Sequence, residues 1–380
     1  MHTALCEQYG MDIPLFAFSH SPAVVAAVSK AGGFGVLGAS GFEPAELAKA
    51  LTWITQECAG KPYGIDLLIP ASYVGSAEGG LELQALQQHI PGGHRTFVEN
   101  LLDKYQVPAL SANNSRTSRA GLGISLKSAT QLVEIALSYP IRLIVNALGV
   151  PPAALIERAH SQNVRVGALV GAVKHALQQK AAGVDLIIAQ GYEAGGHTGE
   201  ITTMVLVPQV VDAVAPTPVV AAGGITNGRQ FAAALALGAQ GVWTGSVWLL
   251  TEEAETHPVV KDKFLQASSS DTLRSRATTG KPARQLRSAW TDAWEDPANP
   301  QPLPMPLQTI LTAEARARIE QDATQGGAGG KQLINYFIGQ SVGMLNEIRP
   351  AAEVLIRMNA EGDAVLEQMA HLANKETQQS

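Results

Sequence analysis

The densest run of reactive side chains is AQGYEAGGHTG, Ala189 to Gly199. Gly195, Gly196 and Gly199 surround His197, so the loop is tight and the imidazole is presented on a short backbone. A neutral imidazole can take a proton from a carbon acid or hydrogen-bond a developing anion. The plainer alternative is a loop histidine with no chemical task. Glu193 could act as acid or base, although a loop carboxylate more often caps backbone N–H groups. Two further pairs, Gly223-Gly224 and Gly245-Ser246, each follow a short apolar run. Glycine lets the backbone approach an anion closely, and a helix starting just after it offers free N–H groups and a positive dipole end. Together the two pairs suit one phosphate group. His20 follows the first apolar run and is a candidate substrate contact. In TTGKPARQLRS, Lys281, Arg284 and Arg287 could close over an anionic group; a solvated charge run is the commoner reading for at least two of them. His160 and His175 fall on predicted outer helices, and Cys58 lies on a helix remote from these loops.

The elements that must position these residues are short β-rich runs alternating with helical patterns. Eight strands are predicted: Pro14–Phe18, Phe34–Leu37, Tyr63–Leu68, Arg142–Asn146, Val164–Leu169, Asp185–Gln190, Pro218–Ala222 and Gly241–Thr244. Helices open at Pro22, Pro44, Pro151 and Asn227, with glycines closing the first and the last of these, the expected placement for both residue types. Strand–helix alternation implies right-handed βαβ units and a parallel sheet. Eight units over about 250 residues favour an α/β chain folded as a closed (β/α)8 TIM barrel over an open sheet. In such a barrel the loops after the strands build the active site, and phosphate is often held after the seventh and eighth. His197, both glycine pairs and His20 all fall on that rim.

Two segments break the rhythm. A polar, partly helical insertion at about 70–121, ending in SANNSRTSRAG, follows the third strand and should emerge at the rim. After about residue 250 the chain becomes charged, then Pro-rich, then Gly-rich. It ends in two amphipathic stretches, Lys331–Glu347 and Pro350–Leu372. The division expected is a barrel over 1–250 and a helical C-terminal extension over 251–380 packed on it.

Composition narrows the function classes. Lys plus Arg number 27 against 33 Asp plus Glu, a net charge of −6, which argues against a nucleic-acid-binding surface. The two cysteines, Cys6 and Cys58, rule out a disulfide framework and leave no metal-ligand spacing, so no metal is expected. No apolar run of about 18 residues predicts a membrane span. A protein of a reducing compartment, cytoplasmic, monomer or homodimer, is the expectation.

At AQGYEAGGHTG, followed by VVAAGGITNGRQFAAALALGAQGVWTGSVWL, the sequence resembles the nitronate monooxygenases, formerly called 2-nitropropane dioxygenases. The resemblance spans most of the chain and includes AVSKAGGFGVLGA, GAVKHALQQKAAGVDLIIAQG, SRATTGKPARQLRS and GQSVGMLNEIRPAAEV. It implies an FMN-binding TIM barrel with a helical substrate domain. By motif position Gln190, Gly196, Gly223, Gly224, Gly245 and Ser246 would hold FMN, the last four at its phosphate, with His197 as the catalytic histidine. In the family, the flavin takes electrons from an alkyl nitronate and passes them to dioxygen, giving a carbonyl compound and nitrite.

The chain departs from the family pattern twice. Where many members carry a Gln-Ala-Pro-Met-type turn after the first strand, this chain has FAFSHSP, Phe16 to Pro22. Where they commonly place Asn in a Gly-Val-Asn context, it has Asp66 in GIDLL. A carboxylate there would oppose negative charge on the cofactor unless protonated or paired. Both changes fall at the rim, so His20, Asp66 and Lys281 are the candidate substrate-side residues. The alternative is an FMN-dependent enoyl-thioester reductase or desaturase with His197 or His20 as proton donor or acceptor. Two further readings are a non-catalytic flavin- or nucleotide-binding protein and a purine-nucleotide dehydrogenase. The latter needs a rim cysteine, and none is placed there.

Overall fold

All eight predicted strands form one closed parallel barrel. The computed structural model describes residues 1–68, 83–111, 126–147 and 149–377. The barrel strands are β1 (Leu15–Ser19), β2 (Phe34–Gly38), β3 (Tyr63–Leu67), β4 (Leu143–Asn146), β5 (Arg165–Val170), β6 (Leu186–Gln190), β8 (Val219–Ala222) and β9 (Gly241–Thr244). Phe16 of β1 lies opposite Trp243 of β9, which closes the ring. β7 (Gly196–His197) is a two-residue strand outside the barrel.

Alternation along each strand sorts the side chains. Ile65 and Leu67 of β3 join Val24, Leu47 and Leu51 of the surrounding helices in the outer core. Phe16, Phe34, Val36, Val145, Ile188 and Val220 fill the barrel interior. The short helix Ala4–Tyr9 plugs the N-terminal end, with Tyr9 edge-on to Phe16 and Phe34 at 5.3 and 5.7 Å. By the same period of two, the uppermost inward positions are Phe18, Gly38, Asp66, Leu169, Gln190, Ala222 and Trp243. The polar ones are Asp66 and Gln190, and they face the open C-terminal mouth.

Each barrel strand has its helix. The ring includes Pro22–Lys30, Pro44–Cys58, Leu126–Leu137, Ala153–His160, Val173–Ala182, Thr203–Val214 and Gly228–Ala236. The eighth place is taken by the long last helix, Ala351–Thr377, which lies against both neighbours of that gap. Gly228 donates its N–H to Glu361 at 2.8 Å and leaves no room for a side chain against Gly362, while Leu355 packs on Gly33. The C-terminal segment therefore supplies a barrel helix as well as a cover.

Residues 251–350 form that cover, and it is only partly helical. β10 (Thr272–Ser275) and β11 (Ala283–Leu286) pair antiparallel, and β11 also pairs with β7. The stretch Lys331–Glu347, read from its sequence as an amphipathic helix, is helical only at Ala328–Leu333 and in a 3-10 turn at Gln340–Met344. Asn335–Phe337 instead runs beside β11, with Leu286 donating to the Tyr336 carbonyl at 3.1 Å. Sheet pairing has overridden the helical pattern, and Gly339 must remain bare because its Cβ would meet the Glu193 carbonyl at 2.8 Å.

Of the insertion after β3, helices Leu83–Gln88 and Gly92–Lys104 are described; SANNSRTSRAG lies outside the described residues from 112 on. The second helix docks on the cover. Phe97 meets Trp294 edge-on at 4.8 Å, and Arg318 reaches Glu99 at 2.8 Å and the carbonyls of Val107 and Pro108. No helix among the described residues is long and apolar enough to cross a membrane.

Candidate active site

The barrel mouth and the cover enclose the predicted residues from two sides. His197 comes from the cover side. Pairing of His197 with Ala283 and of Gly196 with Arg284 fixes β7 against β11. Gly196 sits at φ +73°, and a Cβ on Gly195 would meet the Ile338 backbone at 2.8 Å, so the glycine-rich run is what allows this close approach. His197 Nε2 lies 2.8 Å from Thr279 Oγ1, whose hydroxyl in turn donates to the Lys281 carbonyl at 3.2 Å. A hydroxyl spent in that way accepts from Nε2–H, which leaves the ring's lone pair on Nδ1. His197 keeps accessible surface, yet protein packs around it; burial first, and the nearby Lys281 cation second, pull its pKa down to about 4. The ring is neutral at pH 7. Phe337 flanks it, with ring centroids 6.3 Å apart.

His20 and Asp66 stand across the mouth. His20 hydrogen-bonds the Gly38 carbonyl through Nδ1 at 2.8 Å; it keeps accessible surface, yet the protein packed around it lowers its pKa. Gly38 is opposite Asp66 in the β2–β3 register. The Asp66 side chain is 6% exposed and has no hydrogen-bond or ionic partner among the described residues, so burial raises its pKa well above the usual carboxylate range. A raised acid pKa favours folding most below the unfolded value and loses that contribution as pH climbs toward the folded one. Asp66→Asn, which cannot ionise, should therefore gain on the parent as pH rises. The gap in melting temperature is expected to widen from pH 4 to pH 8, and a constant gap would show the carboxyl to be solvated or paired.

The remaining charged residues sort by their contacts. Glu193 is a cap: its carboxylate accepts from Thr203 N at 2.9 and 3.2 Å and from Thr203 Oγ1 at 2.9 Å, at the start of the helix Thr203–Val214. Glu193→Ala is expected to cost about 0.5–2 kcal/mol in urea unfolding; an unchanged midpoint would mean that this helix start is secured by other groups. The basic cluster divides. Arg284 is buried, donates to the Tyr192 carbonyl and stacks over the Tyr192 ring at 4.5 Å, so it is the member of the cluster that is not a surface charge. Arg287 is exposed and pairs with Asp292 at 2.7 Å. Lys281 stands beside His197. Thr279 is the site residue that sequence reading missed. Its partner is 82 residues away, and no local signal announces the contact.

The phosphate-type loops lie side by side, because β8 and β9 are adjacent. Gly223 and Gly224 take φ values of +101° and +74°, left-handed conformations that favour glycine. Gly223 is also confined, since its Cβ would fall 3.0 Å from Thr203 Oγ1. Ser246 Oγ accepts from Gly339 N at 2.9 Å, which ties the cover to the loop and leaves the hydroxyl hydrogen free to donate. The backbone N–H groups of Gly223, Gly224, Gly245 and Ser246 have no protein acceptor among the described residues. Gln190 ends β6 next to them in register with Ala222.

Comparison with known proteins decides the family. The nitronate monooxygenase family matches residues 13–361. The chain belongs to the nitronate monooxygenase family. It is 57% identical over 358 residues to a protein of Mycobacterium tuberculosis (strain ATCC 25618 / H37Rv) provisionally named a monooxygenase, covering 94% of this chain and 96% of that one. A provisionally named nitronate monooxygenase of Staphylococcus saprophyticus is 29% identical over 336 residues, 86% of each chain. Among solved structures, nitroalkane oxidase from Streptomyces ansochromogenes superposes with a TM-score of 0.76 at 26% identity, over 96% of this chain and 100% of that one. FabK from Thermotoga maritima gives 0.71 at 26% identity, over 98% and 99%. As a nitronate monooxygenase family member the chain is a flavin-dependent oxidoreductase. Orphaned N–H groups at two adjacent loops, beside bare glycines, fit the phosphate end of such a cofactor.

Proposed function

We propose that this family member binds FMN and uses it to oxidise alkyl nitronates with dioxygen, yielding a carbonyl compound and nitrite. Gly223, Gly224, Gly245 and Ser246 would hold the phosphate, with Gln190 and Gly196 toward the rest of the cofactor. FMN, when bound, supplies the electron transfer from substrate to dioxygen.

The observation that carries the reading is a histidine held neutral beside a cation. With its lone pair on Nδ1, His197 can accept the α-proton of a neutral nitroalkane, and the Lys281 charge attracts a nitronate that arrives preformed or is made in place. Asp66, pushed toward its protonated form, adds no opposing negative charge at the mouth and can donate a hydrogen bond. The departure from the family's asparagine is thus compatible with nitronate chemistry.

A second reading, reduction or desaturation of an enoyl thioester, is supported by the similarity to FabK. Reduction needs a proton donor; a neutral His197 is a poor one, but Asp66, pushed toward its protonated form at the same mouth, could serve. We rank this reading second because the family match and the similarity to a protein provisionally named a nitronate monooxygenase favour the first. The test is the visible spectrum of the purified protein before and after anaerobic addition of a simple alkyl nitronate. Bleaching of the flavin bands supports nitronate oxidation. No response, together with bleaching by a nicotinamide donor, would transfer the assignment to thioester chemistry.

A further inference from the structure

A cavity of about 200 Å³ lies under the cover beside His20, bounded by Trp290, Arg316, Asn335 and Tyr336. It has room for roughly seven water molecules. Arg316 is in the middle of the helix Leu307–Thr324 and makes no hydrogen bond or ion pair among the described residues. This sets it apart from its neighbours. Arg318, two residues on, is saturated by Glu99 and two carbonyls, and buried Arg284 by Tyr192 and Thr272. A guanidinium stays charged in any protein environment, and a half-buried one with no hydrogen-bonded partner among the described residues favours an anion beside it.

The other polar groups of the cavity show what is left over. His20 is bound to Gly38, His257 to Thr324 and Val259, and the Asn335 amide to Gln285. Glu255 and Glu320 also line the cavity and are exposed; Glu320, one helical turn on from Arg316, attracts it electrostatically but makes no direct ion pair with it among the described residues. The Tyr336 hydroxyl has no hydrogen-bond partner among the described residues, although its backbone carbonyl is taken by Leu286. A planar fork of five donors and a phenol, both half-buried and neither hydrogen-bonded among the described residues, are the complement of an oxyanion.

We propose that this cavity is a binding site for a small oxyanion, the carboxylate or phosphate of a small molecule, with Arg316 as its charge partner and Tyr336 as a second donor. The site is separate from the phosphate loops after β8 and β9, and it does not depend on which substrate the flavin oxidises. The Asn335–Phe337 segment joins the two regions: Tyr336 lines the cavity and Phe337 flanks His197.

The test is calorimetric titration of the flavin-loaded protein, whose phosphate loops are filled, with inorganic phosphate and separately with succinate. At least one should bind, and the tighter of the two names the source of the oxyanion. Arg316→Gln should weaken that binding at least about tenfold, the loss expected for a charged hydrogen bond. Arg316→Lys should keep part of it, and Tyr336→Phe should lose less than Arg316→Gln. Flavin content and circular dichroism establish that each variant is folded. No binding of either anion to the parent, or equal binding by parent and Arg316→Gln, would overturn the proposal. Neither result would touch the nitronate reading, because no turnover is measured.

Discussion

His197→Ala should leave the protein yellow and slow turnover of a neutral nitroalkane per bound flavin by about 10²–10⁴-fold, the usual contribution of a positioned acid–base group. A preformed nitronate, which has no α-proton left to remove, should be affected far less. Retention of colour follows from position. His197 is on β7, held by β11 of the cover, whereas the orphaned N–H groups that fit the phosphate are on the loops after β8 and β9. The ring makes one side-chain hydrogen bond, to Thr279, so its removal unties little else. Unchanged kinetics in this variant would remove His197 from the mechanism.

The pH profile gives the same expectation a second readout. A base works when unprotonated, so activity should fall as pH drops through the histidine's pKa. That limb belongs at about 4, below the ordinary histidine value of 6.5, because burial and Lys281 both disfavour the imidazolium. Removing the cation with Lys281→Met should move the limb upward. Thr279→Val keeps the imidazole but frees its tautomer, and should fall between parent and His197→Ala. A limb near 6.5 in the parent would mean that the ring is solvated in the working enzyme.

What was legible in the sequence and what was not divides along physical lines. Barrel strands are buried on both faces and read as short apolar runs, such as LIIAQ and VVAA, so all eight strands could be read within a residue or so. Glycine pairs stand out because positive φ demands them at Gly223 and Gly224. The β7–β11 pairing is different: two residues carry too little pattern to announce a strand, and its partner is nearly ninety residues away. The cover's course beside β11 was hidden for the opposite reason, because Lys331–Glu347 has a helical pattern that sheet pairing overrides. Arg316 shows the limit most clearly. Two arginines in ARAR look alike in sequence, and only the fold gives Arg318 three hydrogen-bonded partners while Arg316 has none among the described residues.

Gly224→Asp should yield a folded protein that has lost its flavin. The substitution suits the backbone better than most, since aspartate tolerates the left-handed conformation held here at φ +74°. Its Cβ would meet only Glu193 Cβ at 3.4 Å, an ordinary contact. Gly223 is the wrong choice, because a Cβ there would press on Thr203 and Gly191 and confuse misfolding with weak binding. The carboxylate at 224 would sit among N–H groups that fit a phosphate, at a separation where like charges cost about 4 kcal/mol for a partly screened site. That corresponds to about 10³-fold weaker cofactor binding, enough to purify the protein colourless. Gly224→Asn supplies the control, having nearly the same shape and the same backbone tolerance without the charge, and should keep far more flavin. If Asn and Asp are equally colourless, the loop geometry rather than charge is responsible. Full flavin occupancy in Gly224→Asp would mean that the phosphate is held elsewhere, and the two glycine loops would revert to tight turns that merely end their strands.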